Sequence, residues 1–158
     1  SDVTEAGMSL WEALVFDVLF LNSDRTPDNP NTGLLMDGSP FFFDFGAGLF
    51  TPDTSKRSLE AGLTTSRISE RAREHLCFEP LQMAGQRGFE FPDPEFVHLW
   101  VGQGLRDSRT LIADLQQNEQ LMTSKVLQET LSLTDWYLNE LQVLMPDFVP
   151  PLSYILSQ

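Results

Sequence analysis

Three side chains stand out for their type and spacing. Asp24 is followed five residues later by Asn29, and Asp44 comes fifteen residues after that, at the head of Asp44-Phe45-Gly46. Phosphoryl transfer asks little covalent chemistry of a protein. It needs a carboxylate to accept the nucleophile's proton, and oxygen ligands that hold Mg²⁺ against nucleotide phosphates. Asp24 has the chemistry for the first task, and Asn29 with Asp44 supplies the hard oxygens that magnesium prefers. Each short match alone is weak; order and spacing give the combination its weight. The same residues also fit a plain Pro/Asn turn followed by a core strand, and that reading stands beside the chemical one.

Positioning these groups is the work of the elements around them. Leu10, Trp11, Leu14, Val15, Val18 and Leu19 recur at helical spacing, and Ser9 with Glu12 forms a capping-box pattern. The pattern predicts a helix over 9–21, apolar on most sides and therefore buried. Pro27 and Pro30 keep the following Asp24–Asn31 stretch out of helix. Leu34-Leu35-Met36 and Phe41–Phe45, separated by Asp37-Gly38-Ser39-Pro40, read as a β-hairpin. That hairpin would bring the Asp24 loop and Asp44 side by side. Two glycines, Gly46 and Gly48, then permit unusual backbone angles.

Residues 51–65 read as loop, and beyond them only helices are expected. These are Ser66–Phe78, then Glu95–Val101 opened by Asp93-Pro94, then Leu105–Leu121. Ser124–Leu133 and Thr134–Met145 follow, the last capped by Thr134 and ended by Pro146. The apolar tail from Val149 can pack back or meet a partner. The expectation is one domain over 1–158, mainly α with a small β-hairpin. Residues 9–50 would carry the loop, the hairpin and Asp-Phe-Gly, and residues 66–158 would be helical.

At Phe16-Asp17-Val18-Leu19-Phe20-Leu21-Asn22-Ser23-Asp24-Arg25-Thr26-Pro27-Asp28-Asn29-Pro30-Asn31, followed by Phe43-Asp44-Phe45-Gly46-Ala47-Gly48-Leu49, the chain resembles the catalytic core of HipA-like bacterial kinases. That branch of the kinase fold writes its catalytic loop as Asn-x-Asp-Arg-x-x-x-Asn and its metal motif as Asp-x-Gly. Phosphatidylinositol 4-kinases and secretory-pathway kinases share the pattern in outline. The resemblance covers about residues 10–50 and implies a protein-kinase-like C-lobe using ATP and Mg²⁺. It makes Asp24 the catalytic base, Asn29 and Asp44 the magnesium ligands and Arg25 a brace for the loop. Asn31 takes a supporting role at the cofactor. Position 26 is Thr where many relatives carry His. The implied setting is the bacterial cytoplasm, with a protein partner: a missing N-lobe, a substrate or an antitoxin.

One departure from the kinase plan is large. A kinase holds the nucleotide phosphates with a glycine-rich loop and a lysine from an N-terminal lobe. Only 23 residues precede Asp24, which leaves no room for such a sheet, and the two lysines, Lys56 and Lys125, follow the metal motif. Arginine does not replace that lysine, because a planar fork meets phosphate differently from a compact ammonium. Alone, the chain is expected to be a poor kinase. A kinase-lobe remnant that binds a partner through an acidic helical face is the rival expectation, and an unrelated helical adaptor is a third.

Composition excludes more than it assigns. Asp plus Glu number 23 against 10 Lys plus Arg, a formal charge of −13 over 158 residues. With no basic cluster, coating nucleic acid or an anionic membrane is not expected. No apolar run reaches the length of a membrane span. Cys77, the single cysteine, reads as a small buried residue in a reducing compartment. His75 and His98 read as surface or capping residues, and Gly102-Gln103-Gly104 as a helix end.

Overall fold

The computed structural model describes residues 3–44, 61, 63–117 and 124–158. Phe45–Gly48, with the second half of Asp-Phe-Gly, and Lys56 lie outside the described residues. The first element is α1 (Val3–Leu19). It begins before Ser9, because Glu5, Ala6 and Met8 are good helix formers. Ser9 is therefore no cap; its Oγ donates back to the Glu5 carbonyl (3.3 Å). Gly7 interrupts this turn for a packing reason. A Cβ there would stand 2.6 Å from the Phe89 ring. Further along, Trp11, Leu14, Val15, Val18 and Leu19 are buried, as their spacing requires.

A two-stranded antiparallel hairpin follows, β1 (Thr32–Leu34) and β2 (Pro40–Phe42), with Thr32 opposite Phe42 and Leu34 opposite Pro40. The strands pair earlier than the apolar runs suggest, because the turn takes all of Leu35–Ser39. The Leu35 N–H donates to Ser39 O (2.8 Å) and Gly38 N–H to Leu35 O (2.9 Å). The Asp37 carboxylate accepts the Ser39 N–H (2.9 Å). Gly38 sits at φ +84°, where a side chain would be strained.

The remaining described elements are helices: α2 (Thr65–Glu74), α3 (Phe78–Gln86), α4 (Pro94–Gln117) and α5 (Ser124–Leu156). Three expectations are corrected here. The segment 78–86 is a helix of its own, because His75 ends α2 and the chain bends before Phe78. Gly102 and Gly104 do not break α4; glycine costs a helix only about 1 kcal/mol, and packing of α4 along α5 outweighs that. Thr134 caps nothing, its Oγ1 donating to Thr130 O inside α5 (2.8 Å).

Nor does α5 end at Pro146. It continues through Pro146, Pro150 and Pro151. Each proline removes a backbone donor, yet Met145, Phe148, Val149, Leu152, Ile155 and Leu156 all lie in the core. Burial on that scale carries the helix past its breakers. One hydrophobic cluster joins residues from α1 through α5. Among the described residues, no helix is long and apolar enough to cross a membrane.

Candidate functional site

The site grows from the C-terminal end of α1. A helix end leaves four carbonyls without intrahelical partners, and here each is used. Phe16 O accepts from Phe20 N (2.9 Å), Asp17 O from Asn22 N (2.7 Å) and Val18 O from Leu21 N (3.3 Å). The fourth, Leu19 O, accepts the buried Tyr137 hydroxyl of α5 (2.9 Å). Leu21 turns the chain in the left-handed region at φ +54°, so the backbone enters the Asp24 loop at a fixed angle.

Beneath that loop is a charged centre. Asp17 and Arg25 are fully buried and paired, Nε to Oδ2 at 2.6 Å. The same carboxylate accepts the Asn22 amide at Oδ1 (2.7 Å) and meets His75 Nε2 at Oδ2 (2.8 Å). His75 Nδ1 accepts the Cys77 N–H (3.0 Å), which places the ring proton on Nε2, facing Asp17. Burial pushes the Asp17 carboxyl up, but the hydrogen bonds from His75, Asn22 and Arg25, with the Arg25 charge, hold it below the usual range. The Cys77 thiol beside this centre is pushed up to about 12, chiefly by burial.

Arg25 carries the centre outward. Its Nη1 donates to the Asn31 carbonyl and to Phe43 O (3.2 Å), and its guanidinium lies 5.1 Å from the centroid of the Phe42 ring. Phe43 N–H in turn donates to Asn31 O (3.1 Å). The residue before Asp44 is thereby fastened to the end of the Asp24 loop. Within the loop, Thr26 and Asn29 exchange two backbone hydrogen bonds, each 3.1 Å, around Pro27-Asp28. Asn29 Nδ2 donates to the Asp24 carbonyl (3.1 Å) and Asn31 Nδ2 to Asp24 Oδ2 (3.3 Å).

Asp24, Asn29 and Asn31 thus share direct hydrogen bonds, and the Arg25 clamp joins Asp44 to them through the backbone. Asn29 and Asp44 are exposed, Asp24 and Asn31 half-buried. Among the described residues, the only non-glycine positions with positive φ are Leu21, Asn31 (+42°) and Asp44 (+57°). All three border this loop. Such backbone outliers persist where surrounding contacts over-determine them, and they cluster at functional sites.

The donors gathered here are hard oxygens by type. Both amides turn their nitrogens onto Asp24, and among the described residues no hydrogen bond engages Oδ1 of Asn29 or Asn31. Among the described residues no cluster of three or more His, Cys, Asp or Glu side chains that could hold a metal ion forms. By type, two carboxylates and two amide oxygens are hard donors of the kind Mg²⁺ takes, one or two carboxylates completed by waters. An apolar cavity of about 260 Å³, lined by Phe16, Phe20, Trp100, Leu105 and Ile112, contains none of these residues. Its hydroxyls, Ser108, Thr130 and Thr134, are engaged by their own helices.

Two members of the charged centre escape a reading of residue types and spacing. Asp17 leaves a trace, since a carboxylate inside an apolar helix must find a partner. His75, 58 residues from Asp17, leaves none; it is buried, not a surface residue, although it does close α2. No family model matches the chain, and comparison with curated proteins and with solved structures finds no match.

Proposed function

We propose that the chain is the C-terminal lobe of a HipA-like kinase, transferring phosphoryl groups from ATP to a protein Ser/Thr hydroxyl with Mg²⁺. The supporting observation is the Arg25 clamp, which joins the loop bearing Asp24, Asn29 and Asn31 to Asp44. In this reading Asp24 accepts the hydroxyl proton, and Asn29 and Asp44, with Asn31 beside them, hold the magnesium and through it the nucleotide. Bound Mg²⁺ would neutralise charge on the phosphates. An N-lobe from elsewhere supplies the phosphate-binding loop and lysine. Lys125 is not a substitute, being exposed at the start of α5 beside Glu129 (3.8 Å). The reading places the protein in the bacterial cytoplasm with a protein partner, an N-lobe, a substrate or an antitoxin.

A second reading, a non-catalytic lobe that binds a protein partner, draws on one observation. The hairpin tip exposes Leu34, Leu35 and Met36, the last fully, with Phe41 on the next strand and Phe43 just after it half-exposed. Contiguous apolar exposure of this kind marks contact surfaces. Nucleotide binding separates the two readings. It is measured by calorimetry with and without Mg²⁺, with and without a candidate N-lobe, against Asp44→Ala. Magnesium-dependent binding lost in Asp44→Ala supports the kinase. Absence of binding with the N-lobe present defeats it.

A further inference from the structure

We infer that His75 is a positioning residue for the Asp24–Asp44 site, acting through Asp17 and Arg25. The inference rests on the kinase reading for its metal, but its geometric content stands apart from it. The Asp17 carboxylate has two oxygens and three donors. Oδ1 takes the Asn22 amide, and Oδ2 takes both Arg25 Nε and His75 Nε2. Asn22 and Arg25 lie on the same stretch of chain as Asp17, so of the three donors only His75 ties the carboxylate to α2. His75 Nε2 shares Oδ2 with Arg25 Nε, so it sets where that oxygen, and with it the Arg25 fork, stands relative to α2. The far end of that fork donates to the carbonyls of Asn31 and Phe43, the residue that contacts Asp24 and the residue that precedes Asp44. Three hydrogen bonds, through Asp17 and Arg25, therefore link His75 to the backbone beside Asp24 and Asp44.

The other ring nitrogen makes this directional. Because Nδ1 is occupied by the Cys77 N–H, the ring cannot flip, and Nε2 carries the proton toward Asp17. Partners bonded directly to metal ligands are worth about 10–100-fold in metal affinity, and His75, one step further back, belongs at the low end of that range. His75 is also the residue at which α2 ends, so the position of α2 reaches the site through its ring.

Two substitutions divide the ring's functions. His75→Gln puts an amide N–H where Nε2 stands and gives up the acceptor for Cys77. His75→Asn keeps an acceptor where Nδ1 stands and gives up the donor to Asp17. The full chain is used, with two readouts below the melting temperature of either variant: Mn²⁺ affinity by electron paramagnetic resonance, and NMR exchange of the Arg25 Nε–H and Phe43 amide protons. His75→Asn is expected to weaken Mn²⁺ about tenfold and to speed both exchanges, leaving the Leu81 amide in the core unchanged. His75→Gln should stay near wild type on both. Equal behaviour of the two variants, impaired or not, overturns the inference, because a residue that only ends α2 would not distinguish them. Should wild type bind no Mn²⁺, the metal reading fails, and the exchange split alone then decides for or against the positioning role.

Discussion

The floor of the site and its rim are built by opposite rules. The floor, Asp17 with Asn22, Arg25 and His75, is buried, charged and joined by hydrogen bonds that converge on the Asp17 carboxylate. The rim, Asn29, Asp44 and the apolar hairpin tip, stands in solvent. A buried ion pair adds little net stability over an apolar pair of the same size, but breaking one half of it is costly. The floor thus contributes definition more than stability: it allows one arrangement and penalises all others. The rim is exposed, where a ligand or partner can reach it. Burial and exposure thus divide two layers of residues 17–44, with His75 joining the floor from 58 residues away.

That contrast can be broken most directly at Asp17. Asp17→Asn keeps the volume and leaves the Arg25 charge unpaired in the interior, which should cost about 3–5 kcal/mol in urea unfolding. A loss below about 1 kcal/mol would mean that the floor is not what fixes the loops. Acid should erode the same advantage. The folded Asp17 carboxyl titrates below its unfolded value of about 3.9, so its contribution is fully present above that pH. It is lost as pH falls through the folded value. The stability gap between wild type and Asp17→Asn should stay constant from neutral pH down to about 5 and close below about 4, as read from urea midpoints across that range.

Tyr137→Phe probes the edge of the floor. It strips Leu19 O of its only described partner outside α1, and an unsatisfied buried carbonyl should cost about 1–3 kcal/mol in the same assay. At the rim the order of effects reverses. Asp44→Asn retains a residue type that tolerates left-handed backbone and should change stability by less than about 1 kcal/mol, while abolishing divalent-ion binding measured by calorimetry. The smallest effect belongs to the hairpin tip. Leu34→Ser with Met36→Ser should shift stability within about 0.5 kcal/mol, yet weaken any complex formed with a partner lobe, as seen by analytical ultracentrifugation. If the tip proves as costly as Asp17, the two layers are one.

Much of this was legible in the chain. The buried face of α1 follows from the spacing of Trp11, Leu14, Val15 and Val18, and the hairpin from two apolar runs around Asp37-Gly38. The helical remainder follows from periodicity. The errors share a cause. Ser9, Gly102, Gly104, Thr134 and Pro146 are local punctuation that the surrounding helix overrides, through the helix formers before Ser9 and, at the other four, through tertiary burial that outweighs about 1–3 kcal/mol of local preference. Asp24, Asn29 and Asn31 could be picked out because they lie close in sequence. The Asp17–His75 contact could not, since nothing local to His75 encodes a partner that distant in the chain.

Arg25 has a mechanical consequence. Its side chain grips α1 through Asp17 and the hairpin exit through Phe43, while its own carbonyl accepts the Leu76 N–H at the α2–α3 junction (3.1 Å). One residue is the rivet through three plates. No plate slides without loosening the other two, so the three should open as a single cooperative unit in native-state hydrogen exchange. An ammonium has no fork with which to span these acceptors. Arg25→Lys would keep the charge, lose the rivet, and let the plates open one at a time.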